Sequence, residues 1–355
     1  MSRLVTEDFA SAVGNTPLVL LRNIPKNLNA RIAVKLEYMN PTLSGYARAA
    51  KSIFYEGEQR GELVSEKSIL IVGPPDDFYL SLVEIANNRK YKVIFVMSAA
   101  TSNEMRLKVN RTGAQTIETD PAKGAAEVYR VISVLLEQIP NSIYIDSLDP
   151  AHHNAHYTTT GPEIWNQTES NVDIFLCGVN TGAMFSGVGN YLKWKNKKVD
   201  LYAVDSYEKP LIDEVRRRSL FRRRESRTKQ DPENFHREIM KGCIHVKHED
   251  AVAMTKRLAE EEGILVSISS GANLHAALKL AKRKENSGKL IVTVATRHAE
   301  TEFSTDEVYK DLMEEMERMK PVETDVQIIK IARNFLPTQT VDHNRYYTDN
   351  YFLMQ

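Results

Sequence analysis

The segment Asn40-Pro-Thr-Leu-Ser-Gly-Tyr46-Ala-Arg48 joins two different hydrophobic rhythms. Before it, Ile32-Ala-Val-Lys35 is a short, mostly apolar run of the kind that forms a buried strand; after it, Ala47 to Gln59 follows helical spacing. The same alternation continues down the chain. Further candidate strands are Ser68–Val72, Lys92–Met97, Thr116–Glu118, Ile143–Ile145, Val172–Gly178, Leu201–Val204, Ile244–Lys247 and Leu290–Val294. Helical periodicity lies between them at Leu80–Asn87, Ala125–Glu137, Glu249–Glu261 and Leu274–Ala281. Several strands are apolar throughout, as suits a sheet covered by helices on both faces. The expected class is α/β with mostly parallel sheets.

Composition sets the outer limits. A chain of 355 residues with 42% hydrophobic residues can fill two cores, since single cores stop growing at roughly 250–300 residues. Lysine plus arginine number 47, as do aspartate plus glutamate, so charge gives no reason to expect nucleic acid or an anionic membrane as partner. Cys177 and Cys243 lie far apart without metal-type spacing, and neither a disulfide framework nor a metal site is expected. The start Met-Ser-Arg-Leu-Val-Thr-Glu-Asp lacks the apolar core of a signal peptide. No apolar run approaches the roughly 20 residues of a membrane helix, and a cytoplasmic protein is expected.

Longer strings carry a resemblance. Gly14-Asn-Thr-Pro-Leu18, Lys35 to Pro41, Ser44 with Arg48, Thr159-Thr-Gly-Pro-Glu-Ile-Trp165, Gly187-Val-Gly189, and Glu262-Gly-Ile-Leu-Val266 leading into Ile268-Ser-Ser-Gly-Ala272 occur in this order. Together they resemble the cysteine synthase and cystathionine β-synthase family, to about residue 320. The resemblance implies two α/β domains of the tryptophan synthase β-subunit type, the pyridoxal-phosphate fold type II. The larger domain would take residues 1–45 plus 148–320 and the smaller 46–147, with a tail over 321–355 outside the match. It also implies a homodimer.

Against that family, the opening segment departs at one decisive position. Family members read N-P-G-G-S-V-K-D-R there, and Tyr46 occupies the Schiff-base lysine position; a phenol cannot condense with an aldehyde. Lys35 and Lys51 are the nearest lysines, but five residues along a helix turn Lys51 roughly 500° away. The carboxylate-binding T-S-G-N-T-G loop is replaced by Pro74-Pro75-Asp76-Asp77-Phe-Tyr79. Two prolines remove backbone donors, and two carboxylates stand where the substrate carboxylate would dock, unless one of them simply caps the next helix. The phosphate cradle keeps Thr181 and Gly182, while Asn180, Ala183 and Met184 depart from G-T-G-G-T. His298 stands at the serine that partners the pyridine nitrogen, as a donor or in a plain packing role, and Asp146 stands at a glutamine near the substrate.

Three other features admit more than one reading. His152, His153 and His156 cluster near a predicted helix start, but a metal site would need further ligands. Arg216 to Arg224 replaces a glycine-rich active-site loop; it could be a solvated loop, a surface for an acidic partner, or a phosphorylation switch at Ser219 and Ser226. The aromatic tail with Tyr346, Tyr347, Tyr351 and Phe352 could strap its own body or a second subunit, or bind a partner.

The reading that follows is a catalytically inactive cysteine synthase-like protein with a regulatory or protein-binding role, with no cofactor expected, or pyridoxal phosphate if any. Its partner would meet the cleft, the arginine loop or the tail. The rival is a pyridoxal-phosphate dependent cysteine synthase replacing the acetyl ester of O-acetylserine with sulfide. A third reading is a cleft for another small molecule, held by Arg297 or the arginine loop.

Overall fold

The computed structural model describes residue 6 and residues 8–147, 151–212, 232 and 234–301. The arginine loop, its serines and the aromatic tail lie outside these residues. One sheet is built from β1 (Leu18–Leu20), β2 (Arg31–Leu36), β7 (Ile174–Gly178), β8 (Asp200–Ser206), β9 (Gly242–Val246) and β10 (Leu290–Ala295), in the order β1-β2-β10-β7-β8-β9. The other contains β3 (Ile69–Val72), β4 (Lys92–Ser98), β5 (Gln115–Thr119) and β6 (Ser142–Tyr144), in the order β5-β4-β3-β6. Every pairing is parallel except β1 with β2. Helices supply the crossovers that parallel pairing demands. Among the described residues, no helix is long and apolar enough to cross a membrane.

Burial explains the apolar strands. All six residues of β10 are buried, as expected of a central strand with helices on both faces. On the smaller sheet, Phe54, Phe78, Tyr79 and Phe95 pack between α1 (Tyr46–Gln59), α2 (Asp77–Asn88) and the strands. On the larger, Phe175, Phe185, Val188 and Leu201 form a second cluster beneath α7 (Ala183–Lys195).

The helix over Asn103–Arg111, β1, the segment Ala151–Gln167 and α7 escape the sequence reading, and the last three do so for a visible local reason. β1 has only three residues, too few to show alternation. Between Ala151 and Gln167 the helical chain widens to a π turn over His156–Thr160, which breaks the 3.6-residue period. α7 hides its signal behind glycines. Gly182 enters it at φ +87, and a Cβ there would stand 2.5 Å from Phe235 Cα; a Cβ at Gly187 would stand 2.5 Å from the His153 carbonyl oxygen. These glycines serve close packing.

The strings that carry the family resemblance meet in one buried charge network. Arg48, 3% exposed, donates Nε to Glu37 Oε2 at 2.6 Å and Nη2 to Glu37 Oε1 at 2.8 Å. It reaches Glu163 with Nη1 and Nη2, both at 2.7 Å. Lys35 spends its ammonium on Thr16 O, Glu163 Oε2 and Gln167 Oε1 at 2.6, 2.7 and 2.9 Å. Thr16 Oγ1 donates to Glu37 at 2.6 Å, and Asn40 accepts from Gly14 N at 2.9 Å. Two cations face two anions. Burial alone would raise the Glu163 carboxyl, but Arg48 and Lys35 outweigh it and hold it down at about 2.

Arg48→Met would leave Glu37 and Glu163 buried without their shared partner. It is expected to lower the unfolding free energy by about 3–5 kcal/mol, read from denaturant melts. Because the Glu163 pKa is depressed, its stabilisation is complete above the ordinary carboxylate value of 4.5 and is lost as pH falls toward about 2. Glu163→Gln should therefore flatten the acid limb of a stability-versus-pH curve across that window.

Candidate active-site cleft

A cavity of about 580 Å³ opens where β7, β8 and β10 end and where α1, α2 and α7 begin. The C-terminal edge of a parallel sheet is where ligands bind in folds of this kind. Its walls include Tyr46, Asp76, Asp77, Asn180, Thr181, Gly182, Ala183, Met184 and Arg297. Nine residues marked out by sequence comparison thus come together. Pro74, Pro75, Asp146 and His298 are not among its lining residues.

Tyr46 is the first residue of α1, its amide bonded to Ser44 Oγ at 3.2 Å. The turn before it is stitched to the segment after β10, with Gly45 N donating to Thr296 O at 2.9 Å. The phenol oxygen accepts from Asn180 Nδ2 at 3.0 Å, and the ring meets Phe78 edge-on at 6.1 Å. Burial raises the phenol above its ordinary pKa, so it stays protonated near neutrality. Among the described residues, no amine replaces it at this point. Lys35 is locked in the charge network, and Lys51 donates to Val13 O at 3.3 Å. Among the described residues, Lys209, on the loop after β8, is the lysine that lines the cavity. It lies in a stretch with no matching string, so sequence comparison misses it.

The two aspartates have separate partners, although the Asp77 charge still bears on Asp76. Asp76 caps α2 by accepting from Tyr79 N at 3.0 Å. Asp77 is paired with Arg297, which crosses from the end of β10 to the start of α2. Desolvation in the cleft, with the Asp77 charge beside it, pushes Asp76 up to about 6. The capping and charge roles coexist in one turn.

At the mouth of α7, the Thr181 hydroxyl accepts from Ala183 N at 3.4 Å. Unpaired backbone N–H groups at a helix start favour an anion, and this one retains Thr181 and Gly182 for it. The Met184 thioether instead packs toward Gly45, whose Cβ position would lie 3.2 Å from Met184 Cε. Ser270 Oγ accepts from Thr296 N at 3.1 Å and shares contacts with Ser267, so the Ser-Ser-Gly string fastens the α9 (Ile268–Ala281) start to the β10 exit. Asn273 also lines the cavity. It is buried, gives Nδ2 to Val294 O at 2.9 Å, and its Oδ1 has no hydrogen-bond partner among the described residues. Nothing in its linear context marks it.

His298 lies against Tyr38, ring centres 5.5 Å apart, a packing position outside the cleft. Of the histidine cluster, His152 and His156 line the cleft, and each ring has its own contact. His152 lies tilted against Phe78 at 4.4 Å, His153 meets Asn190 at 3.0 Å, and His156 pairs with Thr160 at 2.9 Å. Burial drives His156 down to about 3, so it is neutral in the fold.

The sequence pattern of the "Pyridoxal-phosphate dependent enzyme" family matches residues 9–297. The chain belongs to that family of fold type II enzymes, in its cysteine synthase branch. It is 42% identical over 338 residues to "Cysteine synthase 3" of Caenorhabditis elegans, covering 95% of this chain and 99% of that one. It is 32% identical over 323 residues to "Cysteine synthase A" of Escherichia coli K12, covering 88% and 98%. Among solved structures, O-acetyl serine sulfhydrylase isoform 3 of Entamoeba histolytica superposes with a TM-score of 0.75 at 28% identity, covering 87% of this chain and 93% of that one.

Pyridoxal phosphate is thus the family's cofactor, and the expectation of no cofactor finds no support in these relatives. The donor set here fits the group in part. The start of α7 can receive an anion, whereas covalent attachment at residue 46 has no amine to form it.

Asp76 supplies a test of the cleft's electrostatics. Its pKa is raised to about 6 from 3.8, so the folded state holds a proton that the unfolded state releases, and this contribution to stability fades as pH rises through that window. Asp76→Asn keeps a capping residue. It should remove this dependence between about pH 4 and 6, with a change below about 1 kcal/mol because the side chain remains solvent-accessible. Thermal melts at pH 4, 5, 6 and 7 would read it.

Proposed function

We propose that this protein is a non-catalytic member of the cysteine synthase family that works by binding in its cleft, as a regulatory or ligand-sensing protein. The observation that carries this reading is Tyr46. Its neutral phenol fills the lysine position and is held by Asn180. A phenol can neither form the covalent link to an aldehyde cofactor nor serve as the amine base that removes an α-proton. The rest of the wall is suited to holding a ligand. The α7 start favours an anion, Arg297 is fixed by Asp77, and Asp76 can hold or release a proton near pH 6. A second copy of the chain and a regulatory protein are the partners this reading calls for.

The second reading is an active pyridoxal-phosphate dependent cysteine synthase. The names of relatives at 42% and 32% identity favour it, and it requires an amine from elsewhere, for which Lys209 is the cavity-lining candidate. Purified protein mixed with pyridoxal phosphate, reduced with borohydride and peptide-mapped separates the two, alongside an assay for cysteine from O-acetylserine and sulfide. We expect no pyridoxyl-lysine and no cysteine. A stoichiometric adduct on one lysine together with turnover would establish the enzyme. Tyr46→Lys alone is not expected to produce activity, because Asp76, the Asp77–Arg297 pair and Met184 remain in the substrate's way.

A further inference from the structure

At the edge of the larger sheet, bordering the cleft through Asp205, three metal-ligating side chains gather. β8 and β9 run parallel with Asp205 opposite His245 and Ala203 opposite Cys243. Residues two apart on a strand share a face, so Cys243 and His245 stand side by side and Asp205 faces them from the neighbouring strand. The carboxylate oxygen, thiol sulfur and imidazole nitrogen all lie within 4.8 Å of one another. Asp205 is buried, with the other two half-buried.

The state of Asp205 gives the cluster its significance. Its Oδ1 accepts from Ser206 N at 2.8 Å and its Oδ2 from Ile212 N at 2.7 Å. Two neutral backbone donors therefore fix the carboxylate's orientation without cancelling its charge. Among the described residues its ion-pair partner is His245 Nε2, at 4.0 Å, and that imidazole is a cation only when protonated. A buried carboxylate calls for a nearby positive charge. Each oxygen retains a lone pair, and ligating carboxylates are commonly held by outer hydrogen bonds of this kind.

We propose that Asp205, Cys243 and His245 form a site for one divalent transition-metal ion of the zinc class, with water completing a tetrahedron. Thiolate, imidazole and carboxylate bind such an ion at about 2.0–2.3 Å. Ligand atoms in a tetrahedron of that size sit roughly 3.3–3.8 Å apart, so the observed separations close by small side-chain rotations. Binding releases the Cys243 thiol proton to solvent and leaves the ion's oxidation state unchanged. Linear cysteine spacing does not point to this site, because its ligands come from an alternating pair on one strand and from the strand beside it.

Cobalt(II) titration of the full chain, stripped of metal by chelator, tests the site. The expected result is saturation at one equivalent, with a near-ultraviolet thiolate-to-cobalt band and visible bands of tetrahedral cobalt, all displaced by zinc. Cys243→Ser should abolish the near-ultraviolet band, and Cys177→Ala should leave it intact. His245→Ala, at a half-buried position that carries the test if Cys243→Ser does not fold by circular dichroism, should weaken binding more than about 10-fold. Absence of a thiolate band, its survival in Cys243→Ser, undiminished affinity in His245→Ala, or weak binding without a one-equivalent endpoint would each overturn the site and leave a simple Asp205–His245 pair.

Discussion

The guanidinium of Arg48 between Glu37 and Glu163 is the interaction on which the rest of this structure depends. It ties the start of α1 to the turn after β2 and to the helix that leads out of the smaller sheet. A buried ion pair of this kind need not add net stability over a well-packed apolar core, yet removing one partner is costly because it strands the other charges. Once such a network exists, single substitutions within it are strongly penalised. That accounts for the long family-like strings around Gly14, Lys35, Arg48 and Glu163 in physical terms.

Residue 46 inherits its place from this network. Tyr46 and Arg48 are two positions apart on α1, a rotation of about 200°, so the helix that buries Arg48 on one side presents residue 46 to the cleft on the other. The position is set by Arg48 and by the Gly45–Thr296 bond, not by the chemistry of the side chain. Framework and function are therefore separable here, which is why family membership and catalytic competence are different questions for this chain.

The same separation explains what could be read before the structure. Apolar strands such as β4 and β10 declare themselves because both faces are covered, and their bounds match to within a residue or two. α7 does not, because its glycines answer to packing against the His153 carbonyl and Phe235, contacts distant in sequence. Within the cleft, positions aligned to a family motif were legible as positions, but their partners were not. That Asp77 meets Arg297, 220 residues away, follows only from the folded path of the chain. Lys209 and Asn273 belong to no motif, and the Asp205–Cys243–His245 cluster depends on strand register.

The Asp77–Arg297 pair changes what the cleft can select. Two unpaired carboxylates would have repelled any anion, whereas a paired one leaves Asp76 as the remaining acid on the α2 side, titrating near 6. Opposite it stands the α7 start, which favours negative charge. The cavity is consequently polarised, acidic at one wall and anion-accepting at the other, with the Tyr46 phenol between the Asn180 amide and the Phe78 ring. A ligand matching that wall pattern would carry an anionic group at one end and a cationic or hydrogen-bond-donating group at the other. Asn273, whose amide oxygen has no hydrogen-bond partner among the described residues, adds a further acceptor for such a donor in the same cavity. Such a ligand would be held by the two walls without any covalent step, so what the cavity can select is set by Asp76, the α7 start and Asn273 and not by the side chain at residue 46.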